Sequence, residues 1–280
     1  MKKGLKAYRG RPGSLIMRIL ILLAAVITVG SMLFIVAYIL IKGVPNLSTE
    51  LFAWKYTSEN ASMLPSIINT LIMTLLTLLI AVPIGVCSAV YLAEYAKRGS
   101  KLVSIIRVTN ETLAGIPSIV YGLFGFLAFV IAMGWSYSLI SGVLTLAIMV
   151  LPTIIRTTEE ALIAVPDSYR EGSFGLGAGK LRTVFKIIVP TAMPGILSGV
   201  ILAIGRIVGE TAALIFTGGT MPEVPKGLLS SARTLSVHMY CLMSEGLYTD
   251  QAYATAVVLL VIVVLINWIS GRAAKKLSRS

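Results

Sequence analysis

Histidine and cysteine are nearly missing from this chain. One histidine, His238, and two cysteines, Cys87 and Cys241, stand among 280 residues. That excludes a disulfide scaffold and a cysteine-rich metal site, and it leaves little for a histidine metal centre or a Ser-His-Asp triad. Charge is scarce as well. Asp, Glu, Lys and Arg make up 13% of the residues, where a soluble domain carries roughly 25%. So few charges cannot cover a water-facing surface, which excludes a soluble enzyme. With 56% apolar residues the chain is not disordered either. At roughly 150 residues per soluble domain the length would suit about two domains, but a mean hydropathy of +0.89 overrides that estimate.

What is present is a series of apolar runs long enough to cross a bilayer. The first covers 19–41 without a charge, about 34 Å as a helix at roughly 1.5 Å per residue. It follows a basic stretch with Lys2, Lys3, Lys6, Arg9, Arg11 and Arg18, is too long for a signal peptide and has no small-residue cleavage site after it, so it reads as an uncleaved span. Further runs cover 67–92, 117–135, 139–155, 191–217 and 252–269. None alternates as a barrel strand would, so the expected fold is an all-α integral membrane protein with six transmembrane helices. A single membrane domain over 19–270 then lies between basic tails at 1–18 and 271–280.

The +12 net charge is distributed by side. Nineteen Lys and Arg residues fall before the first run, between the second and third, between the fourth and fifth, and after the sixth. Lys42, Lys55, Lys226 and Arg233 are the four on the other side, and Arg206 remains inside a run. By the positive-inside rule both termini are cytoplasmic. The positive charge is topology and gives no reason to invoke nucleic acid. Trp54, Trp135 and Trp268 fall near run ends, as interfacial anchors do. Two loops, 42–66 and 218–251, face outward, the second with a helix-like piece over 228–240.

The glycine-rich stretch from Gly175 to Lys180 invites a nucleotide reading and fails it. A P-loop needs Gly where Phe174 stands and Ser or Thr where Leu181 stands, and no strand precedes it. The same loop, 156–190, carries a better pattern: Glu171-Gly172-Ser173, three residues, Gly177, nine residues, Ile187, one residue, Val189-Pro190. This resembles the EAA loop of ABC-transporter permeases, with Gly-Ser in place of Ala-Ala and Val in place of Leu. Physically it reads as a short helix, a turn at Gly177 where a residue without Cβ is favoured, and a second stretch leading into the fifth run. The resemblance narrows elsewhere. Pro83-Ile-Gly85, the stretch from Ala89 to Tyr95, the stretch from Thr112 to Gly125 and Arg206-Ile-Val-Gly209-Glu210-Thr211-Ala212 look like phosphate permeases, and Thr234 to Tyr240 looks like their PstA type.

The resemblance implies a type I ABC importer permease fold and phosphate import across the inner (plasma) membrane. It also implies a PstC-like second permease subunit, two copies of a PstB-like ATPase seated on Glu171, Gly172, Ser173, Gly177, Ile187 and Pro190, and a PstS-like phosphate-binding protein outside. ATP and Mg are used by the ATPase partner. No cofactor, metal or catalytic residue is assigned to this chain, which is a non-catalytic subunit on this reading.

Arg206 and Glu210 are the ionisable residues of the fifth run. If that run is one helix, Arg206 lies near its middle, where insertion costs roughly 2.5–3.5 kcal/mol, and Glu210 is one turn on, within pairing reach. Two readings stay open. The pair fastens helices, or Arg206 offers a guanidinium fork to phosphate in a polar pathway with Glu210 holding it and Thr211 adding a hydroxyl. Gly195, Gly199, Gly205 and Gly209 form two small-xxx-small pairs, which suggests a helix at a subunit interface. Arg107, Asn110 and Glu111 read as solvated interfacial residues, Cys87 as a packing residue, and His238 and Cys241 as outward-facing without chemistry. Other readings are a sulfate, molybdate or organic-solute ABC permease, the PstC-like partner, and a secondary transporter. The last would usually show repeated spans and does not need an EAA-like loop.

Overall fold

A computed structural model describes residues 12–97 and 99–277. Lys2, Lys3, Lys6, Arg9, Arg11, Arg98 and Arg279, which contribute to the charge asymmetry, lie outside the described residues, so both basic tails are described only in part. Among the described residues all regular structure is helical. The long helices are α1 (Pro12–Gly43), α2 (Leu64–Val90), α5 (Leu139–Ile163), α8 (Val189–Gly209) and α11 (Thr249–Leu277). Five helical stretches are long and apolar enough to cross a membrane alone: Ile16–Asn46, Leu64–Tyr95, Leu139–Ile163, Lys180–Gly209 and Thr249–Arg272.

A sixth stretch passes the same test only as a bent pair of helices. An amphipathic helix α3 (Lys101–Ala114) is bent by 102° from the helical stretch Ser118–Ala132, whose first part is α4 (Ser118–Gly125). The bend falls at Gly115-Ile116-Pro117, with Pro117 extended at φ −58° and ψ 141° as the N-cap of α4. Proline disfavours helical conformation in the residue before it and starts a helix well. Pro117 is therefore a helix start, while Pro83 and Pro152 sit inside α2 and α5.

The core is built around α5. Val143, Leu146, Ala147, Val150 and Ile154 recur at helical spacing and are buried against Met73 and Ala81 of α2, Ala203 and Ile207 of α8, and Tyr121 of α4. In lipid, burying apolar side chains gains little over contact with acyl chains, so close packing holds such helices together. The glycines of α8 show this. Gly195 lies on Ala161 and Gly199 on Thr157, each with no room for a Cβ. This corrects the expectation of a glycine face at a subunit contact. The first small-xxx-small pair is used inside the chain, and Gly205 and Gly209 alone leave open space.

The end of the bundle that carries the Lys- and Arg-rich loops is called the basic end below. There Val90, Leu162, Val165, Val184, Ile188, Ala192 and Ile196 form a second apolar cluster. At the opposite end two loops close over the bundle. Leu51, Met63, Leu235 and Ala254 pack together, and the first N–H groups of α5, on Ser138, Leu139 and Ile140, donate to the carbonyls of Thr217, Ser230 and Leu228 at 2.9 Å. Those donors have no partner within their own helix, so the loop replaces water there. The loop's helix is α10 (Leu235–Glu245), which starts later than the sequence pattern suggests because Thr234 caps it, accepting from Val237 N. His238 on α10 is fully buried rather than outward-facing, edge-on to Tyr56 with ring centroids 6.0 Å apart. Burial first, and then the Arg233 charge, push its pKa down to about 3, against a weaker upward pull from the Ala61 carbonyl, so the ring is neutral. Cys87 is exposed on α2 rather than packed, and Cys241 is half-buried.

Candidate functional site

Two places on the bundle gather the residues of interest, and α8 joins them. At the basic end, α6 (Asp167–Gly175) and α7 (Lys180–Thr183) form a helix–turn–helix knob. Gly177 sits in the turn at φ +80°, where a side chain would strain the backbone. Its N–H donates to Phe174 O at 2.9 Å, and Ala178 N donates to Ser173 O at 3.1 Å, closing the end of α6. Ser173 is buried with its hydroxyl 2.8 Å from that of Thr183, which ties the two short helices together. Glu171 and Gly172 are exposed, Ile187 is half-buried, and Pro190 opens α8. The knob's surface is apolar at its tip: Tyr169, Phe174, Leu181 and Phe185 are exposed, and Leu176 is 91% exposed. From Lys180 the chain runs as one helical stretch, through a single wide turn over Val184–Ile188, to Gly209.

The knob is fastened to α2 by contacts that motif reading missed. Arg170 donates to Glu94, at the exit of α2, through Nη2 at 2.6 Å and Nε at 3.2 Å. It also donates to the carbonyls of Leu162 and Val165 and to Asp167. The side chains of Arg170 and Glu94 are only 17% and 8% exposed. The hydrogen bonds it donates to the Glu94 carboxylate are the main reason the Arg170 pKa rises above its ordinary value. The sequence signal was present as an acidic residue ending one span and a basic residue on the loop helix, but no local spacing links residues so far apart. Arg107, Asn110 and Glu111 line a cavity of about 190 Å³ at this end. Arg107 pairs with Glu159 of α5 at 2.6 Å, and Asn110 donates to Pro152 O at 3.1 Å. Arg107 and Asn110 are fixed to α5 rather than merely solvated, whereas Glu111 is exposed, as expected.

At the other end of α8 the helix breaks inside the bundle. The contacts of Gly195 with Ala161 and Gly199 with Thr157 fix an antiparallel register. Continued, it sets Arg206 level with Val150, midway along α5. The helix stops at Gly209, Glu210 is extended at φ −71° and ψ 127°, and the chain restarts as the short α9 (Ala212–Ile215). The expected pairing of Arg206 with Glu210 one turn on is therefore not formed, because that turn does not exist. Glu210 is buried and caps α9, accepting from Ala213 N at 3.0 Å, while its own carbonyl accepts from Ser236 at 2.6 Å. Arg206 lies in the last turn of α8, where the terminal carbonyls favour a cation. Each charge thus serves the end of its own helix.

Arg206 is half-buried, and among the described residues it has neither an ion-pair nor a hydrogen-bond partner. The Tyr121 hydroxyl, which donates to Leu113 O at 2.8 Å, lies near enough to feel its charge. Thr211 points elsewhere. It lines an apolar groove of about 360 Å³ with Ile39, Tyr240, Met243 and Tyr253. Arg206 and Glu210 are neighbours at one break, and Arg206 is not among the residues that line the Thr211 groove. Non-helical backbone at this depth is tolerated where protein buries it or where it lines a polar cavity.

Comparison with known proteins is consistent with this architecture. Residues 81–279 match the family described as binding-protein-dependent transport system inner membrane component. A probable ABC transporter permease protein, YqgI of Bacillus subtilis, is 35% identical over 278 residues, covering 91% of this chain and 94% of the relative. The phosphate transport system permease protein PstA 2 of Mycobacterium bovis is 34% identical over 82% of this chain and 81% of its own length. PstA of Pasteurella multocida is 34% identical over 81% of each. Among solved structures, a chain of a bacterial alginate ABC transporter superposes with a TM-score of 0.73 at 12% identity, over 98% of both chains. A chain of the MetNI methionine ABC transporter, in an inward-facing conformation, gives 0.58 at 20% identity, over 86% of this chain and 97% of that one.

Proposed function

The chain belongs to the family of binding-protein-dependent transport system inner membrane components, and from that premise we propose that it is the PstA-type permease subunit of an ATP-driven phosphate importer. The observation that carries the reading is the single helical stretch from Lys180 to Gly209. One end is an apolar-tipped knob, and the other is a break at mid-bundle beside Arg206, which has no partner among the described residues. A lever of that form passes a push at one membrane face to a cation in the interior. The PstA-named relatives support phosphate as the substrate.

In this reading the basic end faces the cytoplasm, as the 19-to-4 distribution of Lys and Arg supports. Tyr169, Phe174, Leu176 and Leu181 seat in a PstB-like ATPase, which uses ATP and Mg, and a second ATPase copy serves a PstC-like permease partner. A PstS-like protein delivers phosphate at the opposite end. ATPase movement reaches α2 through Glu94–Arg170 and reaches Arg206 through α8. Arg206 holds the oxyanion by a bidentate fork at the shared pathway, next to the open Gly205–Gly209 face.

ATP-driven uptake of labelled phosphate by the complete importer in proteoliposomes tests this, normalised to assembled complex and challenged with excess sulfate. Uptake that needs no ATP, or that sulfate suppresses as well as phosphate does, refutes the reading. Cysteines placed at 47–62 and 221–250 should react with an impermeant reagent from outside, and one at Ser173 should not.

A further inference from the structure

A second arginine without an acceptor stands at the end opposite the basic loops, where the sequence pattern assigned nothing. Arg233 is 4% exposed, and its Nε and Nη2 are fully shielded with no hydrogen-bond partner among the described residues. Its backbone is held on both sides: its N–H donates to Met221 O at 3.2 Å, and its carbonyl accepts from Asn69 Nδ2 at 3.1 Å. The contact made by its charge is with the ring of Tyr56, 4.7 Å from the guanidinium carbon to the centroid. An aromatic face offsets only part of what burying an unpaired cation costs. Nε and Nη2 carry adjacent N–H groups on one edge of the guanidinium, the edge that grips an oxyanion with two parallel hydrogen bonds.

Tyr56 also lines a cavity of about 460 Å³, together with Trp54, Lys55, Glu223 and Lys226. Two ammonium groups against one carboxylate leave that cavity positive, and none of the three is in an ion pair among the described residues. Asn69, bonded to the Arg233 backbone, presents a buried Oδ1 with no donor. A protonated oxyanion such as phosphate near neutral pH brings a hydroxyl that suits such an acceptor, and sulfate brings none.

We propose that Arg233 is a receiving station for phosphate, separate from Arg206: the ion enters between Lys55 and Lys226, displaces the Tyr56 ring, and takes Nε–H and Nη2–H as a fork. The proposal rests on the phosphate-importer reading for the identity of the ion. A small free ion suits a guanidinium lying behind a ring better than a carboxylate fixed on a docking protein's surface.

The test is equilibrium binding of labelled inorganic phosphate to the complete purified importer without its binding protein, in an Arg206→Gln background so that only this station reports. The parent is expected to bind phosphate. Arg233→Gln should weaken binding at least about tenfold, Arg233→Lys should restore part of it, and Tyr56→Leu, which keeps the charge and removes its cover, should bind at least as tightly as the parent. Unchanged binding in Arg233→Gln overturns the proposal. So does a loss of uptake with binding intact, which assigns Arg233 to a carboxylate of the docking protein. Loss of binding in Tyr56→Leu as well makes the cluster structural only. If the parent binds another oxyanion in place of phosphate and Arg233→Gln loses that one, the station stands and the phosphate assignment fails. If it binds no oxyanion while the intact importer still takes up phosphate, the station fails and the importer reading stands.

Discussion

Arg170 and Arg206 are both partly buried, and the protein treats them in opposite ways. The Arg170 nitrogens donate to Glu94, Asp167 and two carbonyls. Arg206 has the end of α8 beneath it and, among the described residues, no acceptor for its N–H groups. A guanidinium with its bonds complete is a joint, because moving it means breaking several charge-assisted hydrogen bonds together. A guanidinium with none complete can take and release a ligand without first breaking protein contacts. The joint lies where the knob meets α2, and the open fork lies where α8 breaks. Residue type and burial alone would have ranked the two alike.

The substitution with the largest expected effect tests the open fork. Arg206→Gln should lower phosphate uptake by well over about tenfold while the complex still assembles, since no protein bond is lost. Arg206→Lys keeps the charge without the fork and should recover only part of the uptake. Uptake per assembled complex is the measurement. If Arg206→Gln instead lowers the yield of complex with uptake per complex unchanged, Arg206 is a joint like Arg170 and the contrast fails.

Arg170→Met should give the reverse pattern. It leaves Glu94 buried without its cation and frees two carbonyls, at a cost of about 3 kcal/mol, read as a lower unfolding midpoint of the purified complex. Adding Glu94→Gln should return part of that loss. Any residual uptake should keep the parental affinity for phosphate, because the joint touches no substrate. A changed affinity would mean that the two regions are not separable.

Gly177→Ala isolates the backbone of the knob. Nothing lies within 4 Å of the place a Cβ would occupy, so the penalty comes from φ +80° alone, about 1–2 kcal/mol. Gly177→Asn should cost less, since asparagine tolerates that conformation. ATP hydrolysis measured against phosphate uptake should show uncoupling in the alanine variant. Full coupling there would show that the turn can deform without loss, and that the knob does not require this shape.

Much of the bundle was legible from apolar runs, because a span must be long and uncharged. The turn at Gly177 was legible too, because the pattern fixed a glycine between two helical stretches. The break after Gly209 was not. Arg206-Ile-Val-Gly-Glu210 keeps helical spacing, and a helix that stops inside an apolar run leaves no drop in hydropathy to mark it. α3 was obscured for the opposite reason: Lys101, Arg107 and Glu111 break the apolar run while leaving an amphipathic helix intact. Hydropathy also misranks burial in lipid. The stretch Ile16–Asn46 is the most apolar of the five, at a hydropathy of 2.9, and none of its most apolar window is buried. For Leu139–Ile163, at 2.0, 61% of the corresponding window is buried. Serine, threonine and glycine mark the packed helix here, as small residues do between membrane helices.

Glu210→Gln should have the smallest effect, and it decides whether Arg206 is as open as its geometry indicates. Glu210 accepts from Ala213 N through one carboxylate oxygen, and a glutamine carbonyl oxygen can accept the same bond. What is lost is the charge at the start of a very short helix, worth about 0.3–1 kcal/mol at most. Glu210→Ala removes the acceptor as well and should cost about 1 kcal/mol or more. If Glu210 were instead the counter-ion of Arg206 in the working importer, Glu210→Gln would strand a cation at mid-bundle. Its cost would then approach that of Arg170→Met, and uptake would fall with it. Unfolding midpoints of the three variants, measured side by side, separate the cases. A Glu210→Gln variant within about 1 kcal/mol of the parent and transporting phosphate leaves Arg206 unpaired, as a fork held ready by the end of α8.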